Sequence, residues 1–187
     1  MFFNSIDFAV FLPIVFLLYW FVANKSLKLQ NALIVLASYV FYGWWDWRFL
    51  SLILFSTLVD YSIGRKLKSE ENQTKRKVLL WTSIFVNLGF LGFFKYYNFF
   101  LDNFITAFSL FGAEIETNSL NIILPVGISF YTFQTLSYTI DVYKRKLAPT
   151  EDFIVFSAFV SFFPQLVAGP IERATNLLPQ FHKKRTF

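Results

Sequence analysis

Two apolar stretches of this chain carry polar side chains that could line a reaction site. Phe162–Ala174 reads FFPQLVAGPIERA, with two prolines, a glycine, Gln165 and the adjacent Glu172 and Arg173. Leu124–Gln134 reads LPVGISFYTFQ and brings Ser129, Tyr131, Thr132 and Gln134 into a hydrophobic run. In lipid every backbone polar group needs a partner, so broken helix persists there only inside protein or beside a watery cavity. The hydroxyls and amides of the first-named residues of the LPVGISFYTFQ stretch suit two tasks. They can hydrogen-bond between helices, or they can give a substrate tunnel a polar lining, and both readings stand. For Phe162–Ala174 a site-supporting role is favoured, because Gln165, Glu172 and Arg173 are costly in hydrocarbon unless they face a cavity or one another. The candidate lining residues are therefore Ser129, Tyr131, Gln134, Gln165, Glu172 and Arg173.

Other chemistries find less support. There is no cysteine, hence no disulfide, thiol nucleophile or cysteine metal site. The single histidine, His182, lies in the basic turn His182-Lys183-Lys184-Arg185. It excludes a histidine metal cluster and a Ser–His–Asp arrangement, and it reads as an interfacial surface residue. Asp60 and Asp141 lie near the ends of apolar blocks and read as interfacial salt-bridge partners rather than site carboxylates. Asp141 and Arg145 share a helix face at i,i+4 spacing. Lys95, in GFFKYYNFF, reads as a lysine whose ammonium snorkels to the headgroups. The basic run Arg65–Lys77 has the composition of a nucleic-acid or anionic-lipid patch. Its position between apolar blocks explains the charge more simply, as a cytoplasmic loop, so no nucleic-acid partner is expected.

The elements that must position these residues follow from composition. The chain has 187 residues, of which 56% are hydrophobic and only 16% charged, with a mean hydropathy of +0.50. A soluble domain is usually about 45–50% apolar and about 25% charged, so a disordered chain is excluded and a lipid bilayer is the expected surrounding. Six apolar blocks stand out: Phe8–Ala23, Ala32–Trp45, Phe49–Ile63, Val78–Phe94, Asn121–Val142 and Phe153–Gly169. Several fall short of the roughly 20 residues that a full span needs. Trp44, Trp45 and Trp47 form one interfacial girdle that can extend them, and Tyr96 and Tyr97 another. The expected fold is all-α, a polytopic integral membrane protein of about six hydrophobic helices or half-helices.

Basic connections alternate with connections that carry no net positive charge, Asp46 balancing Arg48 in one of them. Segments 24–30, 64–77 and 143–152 are rich in Lys and Arg, whereas 1–7, 46–48 and 98–120 carry no net positive charge. Basic connections prefer the cytoplasm, which places the N-terminus outside. MFFNSID lacks the basic n-region of a cleaved signal peptide and reads as the start of the first helix. Six crossings would leave the basic tail outside, so the sixth block, interrupted by Pro164 and Gly169–Pro170, is expected to be broken or re-entrant.

Five stretches, FNSIDFAVFLPIVFLLYW, SYVFYGWWDWRFLSLILFSTLVDYSIGRKL, NLGFLGFFKYYNFF, LPVGISFYTFQTLSYTIDVYKRK and FFPQLVAGPIERATNLLPQF, cover most of the chain. Together they resemble the membrane-bound O-acyltransferase family, in the bacterial branch of alginate O-acetyltransferases and related peptidoglycan and D-alanyl transferases. The resemblance implies an enzyme of the bacterial inner membrane that moves an acyl group, commonly acetyl, onto a hydroxyl of an extracytoplasmic polysaccharide. It implies further helices around a central tunnel, helper proteins on the extracytoplasmic side, and no bound cofactor. Acetyl-CoA or another acyl carrier is the candidate donor. The family's catalytic histidine lies in the second half of its members, and nothing here matches it. Residues 1–187 are therefore expected to be the N-terminal part of one acyltransferase domain, to hold no catalytic residue, and to be inactive alone. Two alternatives from other classes are a transporter or channel subunit, which would use the same broken helices, and a non-catalytic membrane partner protein. The chain lacks the internal repeat expected of the former, and the latter has no need of the Gln165–Arg173 cluster.

Overall fold

The computed structural model describes residues 3–110, 125, 127–170 and 172–185. The described elements are helical, and no strand occurs among the described residues. Helix α1 (Ile6–Leu17) continues through a π-helical turn (Leu18–Val22) and a 3-10 turn (Ala23–Lys25). Then come α2 (Leu27–Asp46), α3 (Leu50–Ser69), α4 (Gln73–Leu110), α5 (Ile128–Tyr143), α6 (Phe153–Ser161), α7 (Phe163–Ala168), α8 (Ala174–Leu177) and a closing 3-10 turn (Leu178–His182). Each apolar block thus contains helix, although residues 121–124 and 126 of the fifth lie outside the described residues.

Short polar residues start the helices by satisfying amides that have no partner within the first turn. Ser5 Oγ accepts from the Phe8 amide at 3.2 Å and Ser26 Oγ from the Leu29 amide at 3.1 Å. Asn72 Oδ1 caps α4 through Thr74 at 2.9 Å, and Asp152 Oδ1 caps α6 through Ile154 at 2.9 Å. Two stretches, Ile6–Lys25 and Gln73–Ala107, are helical, long and apolar enough to cross a membrane. The 38 residues of α4 extend about 57 Å at 1.5 Å per residue, well beyond a hydrocarbon core of about 30 Å. The segment expected to begin a connection at residue 98 is helical to Leu110 instead, because Phe99, Phe100, Leu101 and Phe104 prolong the apolar run without a glycine or proline.

Helix α2 packs on α6, while α3, α4 and α5 pack mutually. Phe41, Ile53, Tyr138, Phe156, Phe159 and Leu166 form the centre of the core. Gly64 lets α3 approach α5 closely, since a Cβ there would lie 2.6 Å from the Tyr138 hydroxyl. Small residues serve this purpose wherever helix backbones must near one another.

The basic segments converge on one end of this bundle. Lys68 Nζ donates to Glu151 Oε1, tying segment 64–77 to 143–152. Thr150 Oγ1 lies 3.3 Å from His182 Nε2. Arg185 donates to the Tyr19 hydroxyl at 2.6 Å and to Asn31 Oδ1 at 2.9 Å, beside segment 24–30. The sixth block leaves this end at Asp152, breaks at Phe162 (φ −53°, ψ 101°) and resumes as α7 with Pro164 in its first turn. The Phe163 ring reaches Phe41 at 5.3 Å and Phe11 at 5.5 Å. The chain then turns back along α5, where the Ala174 amide donates to Ser137 Oγ at 3.3 Å, and regains the basic end by His182.

One expected ion pair does not form. Helix α5 ends at Tyr143, and Arg145 adopts the left-handed conformation (φ 57°). It is therefore no longer on the helical face of Asp141. Among the described residues the ion pairs are Arg48–Asp46, Lys68–Glu151 and Lys75–Glu70.

Candidate functional site

Helix α5 begins at Gly127, whose φ of 76° favours a residue without a side chain. A Cβ there would collide with the Tyr42 hydroxyl and approach the Leu166 carbonyl to 2.8 Å. The close fit sets the start of α5 against α2 and α7, and it carries Tyr131 and Gln134 into the interior, 3% and 1% exposed. Gln134 Nε2 donates to Gln165 Oε1 at 3.0 Å and to the Phe159 carbonyl at 3.3 Å. Gln165 Nε2 donates in turn to the Pro170 carbonyl at 2.9 Å. Two carbonyls fix the orientation of both amides, since an oxygen facing either would repel it. The second oxygen of the pair, Gln134 Oε1, is buried without a partner among the described residues.

The two stretches singled out in sequence therefore meet through Gln134 and Gln165, with Tyr131 one turn away on the same buried face. The other three candidates do not join them by hydrogen bonds. Ser129 is half-buried in the first turn of α5, and Arg173 is exposed ahead of α8. Glu172 accepts from Asn176 Nδ2 at 3.4 Å and forms no ion pair with its neighbour Arg173.

A second buried polar cluster joins α3, α4 and α5, and it corrects the reading of Asp60 as an interfacial salt-bridge partner. Asp60 is fully buried and pairs with no described cation. Its Oδ1 accepts from Ser83 Oγ and from Thr139 Oγ1 at 2.9 Å, and its Oδ2 accepts from Asn87 Nδ2 at 2.7 Å. Asn87 Oδ1 accepts from Ser56 Oγ at 2.7 Å and Thr135 Oγ1 at 3.1 Å. A buried carboxylate needs such donors when no cation is near. The signal was present in the spacing: Ser56 and Asp60, Ser83 and Asn87, and Thr135 and Thr139 each stand four apart, which puts each pair on one helix face.

The basic end has its own geometry. Arg76, which the sequence places in a solvated loop, is 3% exposed. Its guanidinium donates to the Leu67 carbonyl at 2.6 Å and the Glu70 carbonyl at 3.0 Å, closing α3. It also donates to the Tyr143 carbonyl at 2.8 Å, closing α5. Both helix ends present unpaired carbonyls and a negative dipole end. Nearby, the hydrogen bond from Lys68 holds the Glu151 carboxyl below its ordinary range. His182 is exposed, as expected of a surface residue.

The chain is similar over most of its length to proteins named as O-acetylases or O-acetyltransferases. It is 41% identical over 180 residues to the probable alginate O-acetylase of Pseudomonas putida, covering 94% of this chain and 36% of that protein. It is 39% identical over 177 residues to the probable alginate O-acetylase of Pseudomonas aeruginosa, with coverage of 94% and 33%. Identity to the peptidoglycan O-acetyltransferase of Helicobacter pylori is 33% over 200 residues, with coverage of 93% and 37%. The chain thus spans about a third of the length of these curated relatives. No family model and no solved structure matches it. On the strength of these relatives, the chain belongs to the membrane-bound O-acyltransferase family, in the branch of the alginate and peptidoglycan O-acetyltransferases.

Proposed function

We propose that the whole protein transfers an acetyl group to a hydroxyl of an extracytoplasmic polysaccharide, alginate or another cell-envelope glycan. The observation that carries this reading is the alignment of 94% of the chain with proteins named for that reaction. Residues 1–187 contribute the N-terminal part of the acyltransferase domain and form part of the tunnel wall. Transfer requires a base for the acceptor hydroxyl and a place for the developing oxyanion. The Gln134–Gln165 pair offers neither. It offers shape and an acceptor, Gln134 Oε1, that has no partner among the described residues and that a donor hydroxyl can satisfy. Tyr131 supports the pair, and Ser129, Glu172 and Arg173 lie towards the rim. The acyl donor is a carrier such as acetyl-CoA, and helper proteins act on the extracytoplasmic side.

The protein sits in the bacterial inner membrane with its N-terminus outside and the basic end of the bundle in the cytoplasm. Blocks one to five cross, and block six re-enters. The reading is supported by the return of the chain to the basic end. It is supported too by the nine residues of α6, about 14 Å long and only half of a hydrocarbon core. The test is the O-acetyl content of envelope polysaccharide, measured by proton NMR in a deletion strain complemented with the full-length protein. Loss on deletion and recovery on complementation are expected, with Gln134→Ala and Gln165→Ala restoring less. Unchanged acetylation on deletion rejects the activity; normal rate and expression in both variants reject the role of the glutamine pair.

A further inference from the structure

Between α1 and the C-terminal turn runs a groove of about 330 Å³, within the range of about 300–1,000 Å³ typical of small-ligand sites. Val15 and Phe16 form one wall, and Phe162, Pro164 and Phe181 the other. Its polar groups gather where Arg185 bonds Tyr19 and the Gln180 carbonyl. From this structure we infer that the groove seats one acyl chain of an anionic phospholipid, whose phosphate lies on Arg185. The inference rests on the membrane reading above but not on acetyl transfer. Its warrant is charge. Among the described residues Arg185 donates to neutral oxygens, those of Tyr19, Asn31 and Gln180, and its guanidinium lies over the Tyr19 and Phe181 rings. No described carboxylate pairs with Lys183, Lys184 or Arg185. A guanidinium has five N–H donors, so two remain after those three bonds to described residues. Arginine joins phosphate oxygens through such donors in strong charge-assisted bonds, and basic sites between membrane helices hold anionic headgroups in this way. The groove wall supplies the complement for a hydrocarbon chain, and Leu12 and Phe16 at its edge are 44% and 46% exposed.

The experiment is native mass spectrometry of the full-length protein in mild detergent, with phosphatidylglycerol and phosphatidylcholine of equal chain length. Wild type should retain phosphatidylglycerol preferentially. Arg185→Gln should weaken that retention about tenfold, the loss expected for one charge-assisted contact. Val15→Trp fills the groove without changing charge and should abolish retention of the chain. Leu12→Trp serves the same purpose if Val15→Trp does not elute as a helical, monodisperse species. Inorganic phosphate should not compete. Equal retention of the two lipids overturns the proposal. So does wild type that retains none, because another polypeptide segment covers the groove. Groove-filling variants that retain as much as wild type overturn it too, as does displacement by inorganic phosphate. The readout is lipid, so its failure leaves the polysaccharide reading to its own test.

Discussion

Replacing Asp60 with alanine removes the acceptor on which three helices converge. Ser83, Asn87 and Thr139 then lose a carboxylate oxygen. Hydrogen bonds between membrane helices contribute about 0.6 kcal/mol on average and about 1.7 at most, so three amount to about 2–5 kcal/mol. The lower half of that range is expected, because serine and threonine hydroxyls can turn to carbonyls four residues back. Asn87 Nδ2 also retains the Ser83 carbonyl at 3.0 Å. Asp60→Ala should therefore cost about 2–3 kcal/mol. Asp60→Asn keeps the volume and one acceptor but turns an amide donor towards other donors, and should cost about 1–2 kcal/mol. The assay is unfolding in mixed micelles by titrated SDS, followed by tryptophan fluorescence. A cycle of Asp60→Ala with Asn87→Ala isolates the coupling, which should exceed about 0.5 kcal/mol for residues in one network. A loss below about 0.5 kcal/mol for Asp60→Ala, or strict additivity in the cycle, refutes the claim that this cluster ties α3, α4 and α5.

Gly64→Ala should cost about 1–3 kcal/mol through overpacking, since its Cβ meets the Tyr138 ring at 2.8 Å. The penalty should shrink in a Tyr138→Leu background, as the same titration would read. Arg76→Gln should destabilise by about 2–4 kcal/mol, and Arg76→Lys should not restore it, because one ammonium cannot serve the carbonyls of two helix ends at once. Glu151 has a depressed value in the folded state owing to Lys68. Its contribution is therefore present above the ordinary glutamate value of about 4.3 and lost as the pH falls through the lower folded one. The stability difference between wild type and Glu151→Gln should vanish on acidification through that window, and a difference constant with pH would count against the pair.

Apolar blocks were legible in the sequence because hydrophobic runs and short polar caps act locally. Ser5, Ser26 and Asp152 stand just ahead of the helices they start. The break at Phe162 followed from Pro164, which cannot donate an amide to the preceding turn. The far end of α4 was not legible by block length, since Lys95 and the two tyrosines that follow it resemble an interface while the apolar pattern runs on beyond them. The polar interior was read only in part. Gln134 and Gln165 stood out because proline and glycine surround them. Asp60 was read as interfacial, because its partners are small polar residues on two other helices, and only tertiary packing brings Ser83 and Asn87 of α4 and Thr139 of α5 to it. Arg76 was missed for the opposite reason: its neighbours are lysines and glutamates, and composition assigns the whole run to solvent.

The two buried clusters differ in one respect that bears on function. Around Asp60 each carboxylate oxygen receives a donor, and the Asn87 oxygen receives two. A network so filled holds helices together and has little left to offer a substrate. Around Gln134 the donors are spent on carbonyls of the broken sixth block, while Oε1 has no partner among the described residues. An unsatisfied acceptor in a dry interior costs about 1–3 kcal/mol, and a leucine there would avoid that cost. If the glutamine were only a helix tie, Gln134→Leu should lower the SDS midpoint, because the Phe159 carbonyl and Gln165 Oε1 lose their donor, and should leave transfer per folded molecule intact. If it recognises a hydroxyl, the same substitution should lower transfer while the SDS midpoint holds or rises. The separation of those two readouts, more than the size of either, decides whether the broken segment is scaffold or site.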